Sequence, residues 1–405
     1  MVIELEVRLG KMGIVEGRQE TVPMVIEVRG SKPSDLPTAV LIAIDVSLSM
    51  DGAKIFRAKE AALRILRELE EFDLVSVYGF HRKAFRVVQL AKKGDGKEIE
   101  RSIVDLKLGG GTNIYEVLKL MAEDAEKLGK EMRVGGVKAV LITDGIPTAG
   151  PRSENAIVAA ARELGKYVST AMVVGVGEEY NEKLLLKIAA ALNGVFNHVS
   201  DPDDLVKDIP RFLAKRMRLS AKNVRIVVKT TQGVELKVVG REVKPVDGGV
   251  EVVVGDVHYG EKIVVPCELH VPPQPRGPRI LASVFAKYVD LLKDEEVSTS
   301  ARSIEIVAVP PEMESELRVD EKVLAEVTTA RVAEHLKTIA LEKGIAKETL
   351  KSLEELLAAT MRLGVEELYR KTIDVREKLY EGKEAEASKE LLSVVSKILS
   401  GRYEE

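Results

Sequence analysis

Between Thr38 and about Ser220, runs that are apolar throughout alternate with stretches that are apolar on one helical face only. Ala39–Ile44, Leu74–Phe80, the Lys138–Thr143 run, Tyr167–Val174 and Val195–Val199 present no polar face. Such strands fit only a sheet covered on both sides, and covered sheets are mostly parallel. Ala53–Leu69, Asn113–Leu128, Glu154–Leu164, Glu182–Leu192 and Asp203–Met217 read as the crossover helices. The pattern therefore predicts an α/β, doubly wound, Rossmann-like domain over residues 38–220. Ala84–Leu90 follows Leu74–Phe80 too closely for a helical crossover, so it reads as an antiparallel edge strand.

The flanks follow different rules. Val2–Leu9 and Val22–Arg29 alternate like strands, with Gly10, Gly13 and Gly17 breaking the chain between them. Ser31–Pro37 is proline-rich and reads as a linker. Residues 221–310 contain only strand patterns and turns, as a β-sandwich would: Val224–Lys229, Val234–Val239, Val250–Val254, Lys262–His270, Ile280–Val289 and Ser300–Val309. A lone hairpin is marginal in water. The strands of residues 1–37 are therefore expected to complete this sandwich, with the α/β domain inserted between them and the rest. Residues 311–405 carry helical spacing, including Val319, Val323, Val327, then Leu350, Leu353, Leu357, and later Leu391, Val395, Leu399. Gly344, Gly364 and Gly382 sit where caps belong, which predicts four helices in antiparallel hairpins.

Composition narrows the function. The 405 residues carry a net charge of −4, which argues against a dedicated nucleic-acid binder. One cysteine, Cys267, excludes an internal disulfide framework and a cysteine-based zinc site. Apolar stretches of about 18 residues are absent, so no membrane span is expected. The amino terminus alternates like a strand rather than a signal peptide, so a reducing cytoplasm is the expected setting. Scarce Cys, Trp, Asn and Gln against abundant Glu, Lys and Arg resemble a thermophile's usage.

The candidate chemistry lies where the apolar runs end. Asp45-Val46-Ser47-Leu48-Ser49 follows Ala39–Ile44 and precedes a helix, at the carboxyl end of a strand where α/β sheets bind ligands. Thr112 follows three glycines and precedes another helix; Asp144 ends the Ala139–Thr143 run and is followed by Gly145. All five side chains offer hard oxygen donors of the kind Mg²⁺ prefers. By residue type alone, the aspartates could equally be loop or cap residues and the serines an N-cap. Gly109-Gly110-Gly111-Thr112-Asn113 lacks the Lys-Ser/Thr ending of a P-loop. Gly175-Val176-Gly177 reads as a strand-end turn. His81, His198, His258, His270 and His335 lack metal-ligand spacing and read as surface or sandwich residues.

Together, Asp45-x-Ser47-x-Ser49, Thr112 and Asp144-Gly145 resemble the metal-ion-dependent adhesion site (MIDAS) of von Willebrand factor A domains, a likeness covering roughly Thr38–Ser220. Leu48 departs from the Gly common at that position. The resemblance implies that Ser47, Ser49 and Thr112 coordinate Mg²⁺ (or Mn²⁺ or Ca²⁺) directly or through water. Asp45 and Asp144 would act mainly through water and hydrogen bonds, and a partner's carboxylate would fill the remaining position. The domain order is also similar to the core of the Sec-type vesicle-coat proteins and to archaeal A-domain proteins of the archaellum regulatory network. The latter implies a regulatory scaffold with a forkhead-associated (FHA) partner; a common alternative among cytoplasmic A-domain proteins is an adaptor for a MoxR-type AAA ATPase. No general base or activated nucleophile stands near the metal set, so a metal-dependent hydrolase or phosphatase is the disfavoured reading and a non-enzyme the expected one.

Overall fold

The computed structural model describes residues 2–177, 180–214, 216–291, 293–342, 345 and 349–402. The chain separates into two compact units, Pro33–Leu219 and the residues on either side of it. The amino-terminal stretch forms β1 (Ile3–Leu9), a three-residue β2 (Gly13–Val15) and β3 (Glu20–Gly30). The α/β pattern then runs as β4 (Thr38–Asp45), α1 (Ala53–Glu68), β5 (Leu74–Phe80), β6 (Ala84–Lys92), α2 (Gly96–Val104) and α3 (Ile114–Glu131). It continues with β7 (Gly136–Thr143), α4 (Glu154–Gly165), β8 (Val168–Val176), α5 (Glu182–Ala191), β9 (Val195–Val199) and α6 (Leu205–Ala214).

These strands form one sheet in the order β6-β5-β4-β7-β8-β9, parallel except for β6, which pairs antiparallel with β5 as its short connection requires. Every residue of β4, β5, β7, β8 and β9 is buried. Val40, Ile42 and Ile44 face a core that includes Ile65 of α1, Ile103 of α2 and Ile209 of α6. The alternate residues, such as Leu41 and Ala43, point to the other face, where α3 lies against β4 and β5, and α4 and α5 against β8. The chain leaves β4 toward β5 on one side and returns to β7 on the other. The carboxyl ends of β4 and β7 therefore flank a topological switch point, where the crossovers diverge and leave a crevice.

In the other unit, β10 (Leu219–Thr230), β11 (Glu235–Val238), β12 (Val243–Val246), β13 (Gly249–His258), β14 (Lys262–Val271), β15 (Gly277–Asp290), β16 (Glu295–Ser298) and β17 (Arg302–Val309) build two sheets. One has the order β1-β3-β14-β11, the other β12-β13-β10-β15-β17-β2, with β16 on β15. The register sets Val28 opposite Ile263 and Ile26 opposite Val265. Met24, Ile26 and Val28 share one buried core with Ile226, Val228, Val284 and Ile304 of the second sheet. The amino-terminal strands thus gain their second face from strands far downstream.

Among the described residues four helices follow, α7 (Glu321–Glu342), α8 (Leu350–Leu363), α9 (Glu366–Tyr380) and α10 (Glu384–Ser400). Each packs on the next, α10 returns to α7, and α7 also lies against β3 and β14. The residue after α10 reaches the same sheet, where the Val264 amide donates to the Gly401 carbonyl at 3.0 Å. Gly364 caps α8 in the left-handed conformation; Gly344 lies outside the described residues. Among the described residues, no helix is long and apolar enough to cross a membrane. One sequence expectation is corrected. His198 is neither a surface nor a sandwich residue but is buried on β9 of the α/β sheet, between the Tyr180 hydroxyl and the Ser200 hydroxyl.

Candidate functional site

The end of β4 delivers Asp45 to the switch-point crevice, and the end of β7 delivers Asp144 beside it; both are buried. Beyond Asp45 the chain turns through a short 3-10 segment, Leu48–Met50, before α1. Ser47 precedes that segment but its side chain caps nothing, and the residue capping α1 is Gly52, so neither serine is consumed as a helix cap. The Ser47 hydroxyl instead lies 3.0 Å from the Ser49 hydroxyl, which donates to Asp144 Oδ1 at 2.8 Å.

Asp45 is held from two sides. Its Oδ1 accepts the Ser47 amide at 2.9 Å, and its Oδ2 accepts the Thr143 hydroxyl at 2.6 Å. Burial pushes the Asp45 carboxyl up to about 6, against the hydrogen bonds from Thr143 and Ser47, which favour the ionised form; the neighbouring Asp144 charge adds to the push. A carboxylate pair buried this way gains from any cation placed between its members.

Thr112 reaches the site through the glycine-rich loop. The Gly109 amide donates to the Val46 carbonyl at 2.8 Å, which ties that loop to the one after β4. The cap of α3 is Asn113, whose side chain accepts the Glu116 amide, so the Thr112 hydroxyl is not used for capping. Thr148 fixes the Thr112 backbone by accepting its amide at 2.9 Å, and the Thr148 amide returns to the Thr112 carbonyl at 3.0 Å. Gly145 lies between the parts: a Cβ there would sit 3.0 Å from Thr112 Oγ1 and 3.6 Å from Asp45 Oδ2. Any side chain at this position would intrude between two oxygen donors.

Ser47, Ser49, Thr112, Asp144 and Gly145 line an open cleft of about 430 Å³, with Asp45 beneath Ser47 and Gly145. All five residues singled out in the sequence therefore meet at one place. Sequence reasoning missed three others. Thr143 and Thr148 orient the donors, and Lys54 of α1 places its ammonium 2.5 Å from Asp144 Oδ2. The rim carries two exposed apolar side chains, Leu48 at 66% and Ile146 at 56% exposure. Among the described residues, no three His, Cys, Asp or Glu side chains cluster as a metal-binding group, so the donor set here is rich in hydroxyls rather than in charge.

Comparison with known proteins bears on the inserted unit and on the fold as a whole. Residues 39–211 match the profile of the von Willebrand factor type A domain. An uncharacterized protein of Synechocystis is 34% identical over 182 residues, 45% of this chain and 42% of that protein. Inter-alpha-trypsin inhibitor heavy chain H4 of Sus scrofa is 26% identical over 183 residues, 44% of this chain and 20% of that one. The chain thus spans less than half the length of either relative. Among solved structures, a von Willebrand factor type A protein from Catenulispora acidiphila is similar over 100% of this chain and 97% of its own (TM-score 0.74, 19% identity). The ArnB paralog VWA2 from Sulfolobus acidocaldarius is similar over 100% of both chains (TM-score 0.67, 21% identity). At these identities the likeness is one of fold, and it extends over the sandwich and helices as well as the inserted unit. Within that fold, residues 39–211 are a von Willebrand factor type A domain.

Proposed function

We propose that this chain is a cytoplasmic, non-enzymatic interaction protein whose type A domain binds a carboxylate of a protein partner through Mg²⁺ held among Asp45, Ser47, Ser49, Thr112 and Asp144. One observation carries this reading: two buried carboxylates and a chain of hydroxyls converge in an open cleft at the switch point of the sheet. The donors are all hard oxygens, which suit Mg²⁺ and also admit Mn²⁺ or Ca²⁺. Ser47, Ser49 and Thr112 would hold the ion directly or through water, while Asp45 and Asp144 would act through water and through hydrogen bonds to those hydroxyls. A bound ion would supply a positive charge that neutral hydroxyl ligands leave largely uncompensated, and hence an affinity for an outside anion. Thr143 and Thr148 keep the donors oriented, Gly145 keeps the approach clear, and Leu48 and Ile146 offer apolar contact around an incoming acidic side chain.

The test is a pull-down from native extract with and without chelator, followed by calorimetry of the captured partner against wild type and Asp45→Ala. Loss of about 2–5 kcal/mol of binding is expected on either treatment. Equal affinity with and without Mg²⁺ overturns the reading. The partner's nature decides its narrower form: an FHA-domain protein makes the chain a regulatory scaffold, and a MoxR-type AAA ATPase makes it an adaptor. Turnover of a generic phosphoester with Mg²⁺ or Mn²⁺ that is lost in Asp45→Ala would favour a hydrolase instead.

A further inference from the structure

Lys54 is the second residue of α1, and no acidic residue occupies that helix's first turn. A cation at a helix amino terminus opposes the helix dipole, so its placement needs a local partner. That partner is Asp144, whose two oxygens are divided: Oδ1 accepts from Ser49 at 2.8 Å and Oδ2 from the Lys54 ammonium at 2.5 Å. The Asp144 side chain is fully buried, while that of Lys54 is 31% exposed. The ammonium also lies 3.4 Å from the Ser49 carbonyl. Gly177, at the end of β8, leaves room for it, since a Cβ there would come within 3.3 Å of both Cε and Nζ. Among the described residues, Lys54 and Asp144 are the charged side chains of the cleft lining.

We infer that Lys54 is a resident counter-charge that weakens divalent-ion binding on its own and strengthens the hold on a partner's carboxylate once the ion is bound. The inference rests on the metal reading above. Asp45, Asp144 and Lys54 carry one net negative charge when ionised. A divalent ion turns this into one net positive charge in a partly buried cleft, and an added carboxylate brings it to neutrality. Without Lys54 the two aspartates alone neutralise the ion, and the added carboxylate leaves an excess negative charge. Charges a few ångströms apart near a protein surface interact strongly enough to order these states. Because linkage is reciprocal, a carboxylate that tightens the ion is itself tightened by it.

The experiment titrates Mg²⁺ by calorimetry into wild type, Lys54→Met, Lys54→Arg and Asp144→Ala, each with and without acetate as the carboxylate probe. Melting and circular dichroism in chelator check that each variant folds. Lys54→Met is expected to bind Mg²⁺ at least about tenfold more tightly than wild type. Lys54→Arg, which keeps the charge, should bind as wild type does. Acetate at one fixed concentration should tighten Mg²⁺ binding several-fold less in Lys54→Met than in wild type and Lys54→Arg. If Lys54→Met binds Mg²⁺ as wild type does or more weakly, Lys54 only orients Asp144 and the inference falls while the metal reading stands. If neither wild type nor Lys54→Met binds Mg²⁺, the metal reading falls and takes the inference with it.

Discussion

Asp73 holds Arg218 through two hydrogen bonds, Nη1 to Oδ1 at 2.8 Å and Nη2 to Oδ2 at 3.1 Å. The same carboxylate accepts the Thr38 amide at 2.8 Å and the Glu70 amide at 2.9 Å. It therefore joins the first residue of β4 to the segment between α6 and β10, at the end of the sheet opposite the cleft. Asp73→Ala should leave two amides without their acceptor and Arg218 without its carboxylate, with the Thr38 hydroxyl and the Leu36 carbonyl left to it, and cost about 3 kcal/mol. Urea unfolding checks this; a midpoint equal to wild type would mean that water replaces the carboxylate at no cost. Mg²⁺ affinity of the folded variant should be unchanged, because none of these groups reaches the cleft.

Asp144→Ala should remove Mg²⁺ binding and leave the far-ultraviolet circular dichroism intact, because the sheet carries its own covered core. In wild type, Mg²⁺ at tens to hundreds of times its dissociation constant should stabilise the protein by about 2–3 kcal/mol. Melting curves with Mg²⁺ and with chelator measure both effects. A metal-dependent shift that persists in Asp144→Ala would place the ion elsewhere.

Gly401 ends α10 with φ at +65°, and a Cβ there would lie 2.1 Å from the Val264 carbonyl oxygen. Gly401→Ala should therefore force the end of α10 off β14, costing about 2–4 kcal/mol from backbone strain and displaced packing. Denaturant titration should show the loss, while Mg²⁺ binding by the type A domain should persist. Unchanged stability would mean that the α10–β14 junction yields freely.

Burial pushes the Cys267 thiol up to about 12, so it stays protonated and shielded at neutral pH. The native chain should resist a thiol-reactive probe, and one thiol should react promptly in denaturant. The rate of labelling then reports opening of the β3–β14 sheet. Rapid stoichiometric labelling of native protein would contradict the burial.

The sequence made the buried strands legible because residues such as those of Leu74–Phe80 leave no polar face, and its bounds match β5. The strands β2, β12 and β16 were not legible. Gly13 reads as a break until β17 pairs beside it, and Val243–Val246 is largely exposed and takes its form from β13. Helix α2 offers only Ile99 and Ile103 as buried residues, too few to mark a periodicity. The five oxygen donors were visible because they sit at strand and loop ends in a recognisable order. Thr143 and Thr148 were not, since a threonine's role as an orienting partner depends on what folds against it. Lys54 left one weak signal, a lysine where a helix start usually carries an acid.

The interruption of the sandwich has a consequence for synthesis. As the nascent chain leaves the ribosome, β1 and β3 emerge before the insert and can pair with each other well before β14 exists, because Val28 awaits Ile263. The whole of Pro33–Leu219 is made in the interval. If that segment stayed unfolded, the waiting strands would have to find β14 across a long flexible loop, and closure entropy would oppose them. Once folded, with Asp73 clasping Thr38 and Arg218, the segment acts as a short bracket. It brings Lys32 and Ser220 within reach of the 2.6 Å hydrogen bond that joins them. Early folding of the insert therefore sets the pace at which its host can close, and a slow-translation or clasp-breaking variant should first reveal itself as aggregation of the exposed β3 edge.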